Sequence, residues 1–127
     1  MEFSIGYITE KESASLLERF LRYVKIWTTS NSDAADSGIQ PSTERQWDFA
    51  KMLASELSLN GAENVTITDH CYVHGTVPAS KGLEKQPSIC LMAHMDTVEE
   101  VSGEHVNPQV HRQYDGRILE LGSSVIL

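Results

Sequence analysis

His94 and Asp96 are the residues of this chain whose types and spacing best suit chemistry. They close the stretch Ser88-Ile89-Cys90-Leu91-Met92-Ala93-His94-Met95-Asp96-Thr97, where an apolar run stops at an imidazole and a carboxylate follows two positions on. Residues two apart in extended chain point to the same side, so ring and carboxylate can meet. An Asp bonded to one ring nitrogen fixes the tautomer and frees the other nitrogen for a metal ion. Alone the signal is weak. His-x-Asp is common by chance, and a histidine at a strand end is usually a hydrogen-bonded surface residue.

Presenting this pair falls to the run itself. So short an apolar run, bounded by Pro87, predicts a strand buried on both faces rather than a helix. His94 and Asp96 then lie at or just past its carboxyl end, the edge where open α/β sheets form ligand crevices. Cys90, inside the run, is expected to be a small buried hydrophobe.

The other elements follow from period and punctuation. Thr9-Glu10-Lys11-Glu12 has the form of a capping box, and Leu16, Leu17, Phe20, Leu21 and Val24 make one apolar stripe; together they predict a helix from Glu10 to Lys25. Asn31 to Gln40 is small and polar and predicts a loop, whose Asp33 and Asp36 are read as solvated carboxylates rather than metal ligands. Pro41-Ser42-Thr43 opens a second helix, with Gln46 completing another capping box and Gly61 as its left-handed terminator. Its buried stripe is Trp47, Ala50, Leu53, Ala54 and Leu57.

Beyond Gly61 the period changes to two. Val65 and Ile67, then Val73, Gly75 and Val77, predict a hairpin turning at Asp69-His70-Cys71. A second hairpin is expected about Asp115-Gly116, between Val110–Tyr114 and Ile118–Leu121. Two helices, a hairpin, a buried strand and a trailing hairpin predict an α/β fold with a mixed sheet.

Composition narrows the classes. With 127 residues this is one domain at most, and 40% hydrophobic with 22% charged residues excludes a disordered or fibrous chain. A net charge of -8 argues against a nucleic-acid partner, whose phosphates need a basic footprint. Two cysteines without CxxC spacing argue against a disulfide framework and for a reducing compartment. No apolar run approaches the ~20 residues a bilayer requires, and the amino terminus lacks a basic region followed by an apolar stretch. A cytoplasmic protein without membrane contact is the expectation. Glu63, His70, Cys71 and His74 crowd together in sequence, yet their spacings match no zinc pattern. There is no Walker loop, GxGxxG, HExxH or GxSxG. The apolar ending Val125-Ile126-Leu127 is expected of a chain cut short.

Longer stretches carry a resemblance. Leu17-Glu18-Arg19-Phe20 with Tyr23-Val24-Lys25-Ile26, Pro41-Ser42-Thr43-Glu44 with Gln46-Trp47, and Gly61-Ala62-Glu63-Asn64-Val65 are followed by Gly75-Thr76-Val77-Pro78-Ala79. Then come Ala93-His94-Met95-Asp96-Thr97, Gly103, Val106-Asn107-Pro108-Gln109-Val110 and Tyr114-Asp115-Gly116. From about residue 16 onward the chain resembles peptidase T, the zinc aminotripeptidase group of the di-zinc exopeptidases.

The resemblance implies a three-layer α/β/α zinc-exopeptidase-like catalytic domain, of which residues 1–127 are the amino-terminal part. It makes His94 a ligand of one of two zinc ions and Asp96 its orienting partner. The bridging Asp, two acidic ligands, a further His and a Glu general base lie later in such proteins, and the bridging Asp is expected shortly after Leu127. A lid domain is likewise outside this stretch. Trp27 departs from the family, whose members usually carry a small acidic residue there. The implied substrate is a short peptide losing its amino-terminal residue; the fragment alone is expected to be inactive, to bind zinc weakly and to self-associate through exposed sheet edge. Two other readings compete: a non-catalytic binding or scaffolding module, and a small intact enzyme using Cys90 or Cys71 as nucleophile.

Overall fold

A computed structural model describes residues 8–121 and 124–126. Helix α1 spans Glu10–Tyr23 and begins as its sequence requires. The Thr9 hydroxyl accepts from the Glu12 N–H at 3.2 Å, and the Glu12 carboxylate accepts from the Thr9 N–H at 2.7 Å. Two orphan donors of the first turn are thereby satisfied. The helix stops two residues before Lys25, ahead of Val24, Ile26, Thr28 and Thr29, whose β-branched side chains disfavour helix.

The expected loop at 31–40 contains a helical turn, α2, Ser32–Asp36. Asn31 nucleates it by accepting the Ala34 N–H at 2.8 Å. Helix α3 spans Gln46–Leu59, and its start corrects the second capping box. The Thr43 hydroxyl donates to the Thr29 carbonyl at 3.1 Å instead of capping. The Gln46 amide donates to the Ser42 hydroxyl at 3.3 Å, and the helix enters through tight turns at 43–48. Its other end is as expected: Gly61 takes φ +87, and the Ala62 N–H reaches back to the Leu57 carbonyl at 3.0 Å.

Strands β1 (Glu63–Ile67) and β2 (Val73–Thr76) form the predicted antiparallel hairpin, with an irregularity between Glu63 and Thr66 where Asn64 takes a positive φ. The half-buried Val65, Ile67 and Val73 face α3, which packs against both strands. Among the described residues, Phe49, Ala50 and Cys71 are the buried apolar ones, Ala50 fully so. Among the described residues no helix is long and apolar enough to cross a membrane.

Helix α1 is tied to α3 through one carboxylate. The Tyr23 hydroxyl donates to Glu56 at 2.5 Å, Arg22 pairs with the same carboxylate, and Arg19 lies 3.5 Å from it. The Tyr23 hydrogen bond is the main reason that the Glu56 carboxyl titrates below its ordinary 4.5, with Arg22 and Arg19 adding to it against the effect of burial. Because the folded value is depressed, this stabilisation is complete above 4.5 and is lost as pH falls through the folded value. Both arginines are 40–45% exposed, which screens the pairs. Glu56→Gln is therefore expected to cost about 1 kcal/mol at neutral pH. The gap from the native chain should close as pH falls below 4.5 and through the lowered folded value, as read by urea unfolding at several pH values.

Three expectations are corrected further along. Residues 88–96 form no strand: Ile89, Leu91 and Met92 are 87%, 91% and 93% exposed. A strand buried on both faces needs hydrogen-bonded neighbours and a covering layer on each side. The described residues supply neither, and Cys90 is consequently exposed rather than buried. Secondly, Asp115-Gly116 makes a turn, with the Arg117 N–H donating to the Asp115 carboxylate at 3.2 Å, but no hairpin flanks it. Gln113 takes a positive φ and breaks the extended run before it. Antiparallel pairing comes later, between β3 (Leu119–Leu121) and β4 (Ser124–Ile126).

Thirdly, the expected mixed sheet is two separate two-stranded antiparallel ladders. The described residues thus make a small α/β domain. Its parallel pairing is a single isolated bridge, Thr29 with Thr97.

Candidate functional site

That bridge positions the candidate residues. Thr28 and Thr29, just past α1, are buried at 4% and 7% exposure. The Ser30 N–H donates to the Thr97 carbonyl at 2.9 Å, as does the Ser30 hydroxyl, and the Thr97 N–H donates to the Thr28 carbonyl at 3.3 Å. The chain is anchored immediately after Asp96.

Two further ties hold the segment. The Glu99 carboxylate accepts from the Ser32 N–H at 2.7 Å and from the Ser32 hydroxyl, satisfying an orphan donor at the start of α2. These bonds, the hydroxyl first, hold the Glu99 carboxyl below its ordinary value. The second tie is the Thr29 hydroxyl, which accepts the Gly103 N–H at 3.0 Å and lies 3.4 Å from the Thr97 hydroxyl. A Cβ at position 103 would sit 2.8 Å from that oxygen, so glycine permits this approach.

His94 and Asp96 face one another, with His94 Nδ1 at 3.2 Å from Asp96 Oδ1. The imidazole is 93% exposed and the carboxylate 40%. With its proton on Nδ1 the ring donates to Asp96 and leaves Nε2 accessible as a ligand. Exposed ion pairs contribute only ~0–1 kcal/mol and must offset the entropy of ordering both side chains. The pair cannot hold itself in place; the backbone anchor at Thr97 has to do so.

As a donor set this suits one position of a zinc ion, and zinc sites take three or four protein ligands. Among the described residues no three His, Cys, Asp or Glu side chains converge to hold a metal. His74 stacks edge-on to Tyr72 at 6.4 Å, and Asp33 lies within α2. Cys71 is buried at 1% exposure, and burial pushes its thiol up, which opposes a nucleophilic role.

Sequence reasoning missed Thr29, Ser32, Glu99 and Gly103. Thr29 and Gly103 lie 74 residues apart, and no local pattern joins them. Trp27 is accommodated by Arg45, whose guanidinium lies 3.7 Å from the ring centroid. The same guanidinium lies 3.4 Å from the Thr29 carbonyl.

No family model matches the chain. Proteins named peptidase T do. The one from Geobacillus thermodenitrificans is 46% identical over 101 residues, that from Shewanella sediminis 42% over 113 and that from Aliivibrio fischeri 43% over 109. These stretches are 80%, 89% and 86% of this chain.

The chain is a homologue of peptidase T.

It covers 24% to 26% of those relatives, so it spans about a quarter of their length. A match of 101 residues in 127 leaves 26 outside it, so residues 27–101 lie within it wherever it begins. The peptidase T likeness therefore runs through the Thr29–Thr97 bridge and the His94–Asp96 pair.

Proposed function

We propose that this chain is the amino-terminal part of the catalytic domain of a cytoplasmic, zinc-dependent aminotripeptidase of the peptidase T type. His94 would be one zinc ligand and Asp96 the residue that orients it. What carries the reading is a likeness of 42–46% to peptidase T running through a histidine whose Nδ1 already lies 3.2 Å from a carboxylate.

The whole enzyme would have a three-layer α/β/α domain, in which residues 88–96 are a central strand. Their exposed apolar side chains and unpaired backbone fit a segment whose neighbours are supplied by further chain. A bound metal pair would polarise the scissile carbonyl of a short peptide and lower the pKa of the attacking water. The part played by this chain is narrower. Asp96 would hold the proton on Nδ1 and keep the ring turned, and would raise the basicity of Nε2 towards a metal. The two zinc ions of the complete enzyme need ligands beyond this pair, so the 127-residue chain by itself has no peptidase activity.

Isothermal titration with zinc tests the reading at the level of this chain. Weak binding or none is expected; submicromolar binding at His94 in a 1:1 ratio would contradict a site that needs more ligands. Reading the coding frame past Leu127 tests the whole. A continuing frame with a Gly-x-Asp-Asp-Lys-like stretch supports the peptidase, whereas a stop codon would leave a non-catalytic module.

A further inference from the structure

We propose that Thr29 is a positioning residue for the His94–Asp96 pair, acting through Thr97 and Gly103. This rests on the reading of His94 as a ligand, and adds to it the element that aims the ring. The observations converge on one side chain. The Thr29 carbonyl accepts from the Thr43 hydroxyl at 3.1 Å and lies 3.4 Å from Arg45, so its backbone is fixed to the entry of α3. Its hydroxyl oxygen accepts the Gly103 N–H at 3.0 Å and lies 3.4 Å from the Thr97 hydroxyl. Its own residue bridges to Thr97, which follows Asp96 directly.

Thr29 is thus where the helical unit meets the segment carrying the pair. His94 and Asp96 are exposed and touch each other, and among the described residues neither side chain bonds to anything else. What fixes their relative placement is the backbone at 97, and what fixes that backbone is the 28–30 segment with the hydroxyl clasp. Removing the hydroxyl leaves the half-buried Gly103 N–H without its acceptor and frees Thr97 on one side. The backbone bridge remains, so the fold survives while the aim of the pair loosens.

The test reads the His94 tautomer in the neutral imidazole by ¹⁵N chemical shift, with no metal added. In the native chain the Nδ1–H tautomer should predominate, against the Nε2–H preference of a free imidazole. Thr29→Val, nearly isosteric, should shift the population towards Nε2–H by about threefold or more, and amide exchange at Gly103 should quicken at least about tenfold. Amide protection in α3 and the melting temperature should stay unchanged. Thr29→Ser should restore the native tautomer, which a merely space-filling role would not require. Should Thr29→Val unfold the chain, Gly103→Ala opens the same clasp from its other side and must show the same shift.

A native chain with the free-imidazole tautomer ratio, or a Thr29→Val chain with the native one, overturns the proposal. A zinc titration on the same samples separates the two ideas. Submicromolar 1:1 binding at His94 would contradict the proposed site, which needs further ligands, and the tautomer result still decides Thr29.

Discussion

Phe49→Ala is expected to abolish the cooperative fold of the α1–α3–hairpin unit. Phe49 is 8% exposed, and among the described apolar residues only Ala50 and Cys71 are as deeply buried. Its ring meets Tyr23 edge-on, with centroids 5.1 Å apart, so it is also the apolar contact that docks α1 on α3. Truncating a buried Phe typically costs ~3–5 kcal/mol in lost transfer energy and residual cavity. Domains as a class have only ~5–15 kcal/mol in hand, and small ones sit at the low end. The core is too thin to absorb the loss. Urea melts followed by far-UV circular dichroism check this, with Phe20→Ala as control, since Phe20 is 58% exposed. A Phe49→Ala transition within about 1 kcal/mol of the native chain would mean that the stability lies elsewhere.

If His94 is the zinc ligand proposed above, Asp96→Ala is expected to cost about 10–100-fold in zinc affinity while leaving the fold intact. The Asp96 side chain is 40% exposed, and among the described residues its one polar partner is His94 Nδ1 at 3.2 Å. The anchor beside it uses the backbone of Thr97, not the Asp96 side chain, so stability should barely change. Without the carboxylate the ring can carry its proton on either nitrogen and turn freely, and both effects reduce the fraction competent to bind. Competition with a chelator, measured on the full-length protein, reads the affinity. Unchanged affinity would strip Asp96 of the orienting role and leave His94 without a reason to sit where it does.

How much of this was legible beforehand depended on the sequence distance over which each interaction acts. The Thr9–Glu12 capping box and the Gly61 terminator join residues a few positions apart, so their letters state their geometry. The alternation of Val65 and Ile67 likewise foretold the hairpin. The spacing of His94 and Asp96 was enough to say that ring and carboxylate could meet.

Reading failed where a side chain had a distant competitor. Thr43 has the right letter and offset for a cap, yet its hydroxyl goes to the Thr29 carbonyl. Burial was misjudged as well: Cys90, in the most apolar run, is exposed, whereas Cys71, in a turn, is buried.

By itself, then, the sequence determined the two long helices, the first hairpin, the peptidase T likeness and the His94–Asp96 spacing, since each is written in neighbouring residues or in a long matching text. Tertiary structure alone decided which residues are buried and that Thr29, Thr97 and Gly103 close on one hydroxyl. Burial belongs to the neighbours a segment finds, and an apolar run such as 88–96 records only that it would favour having them.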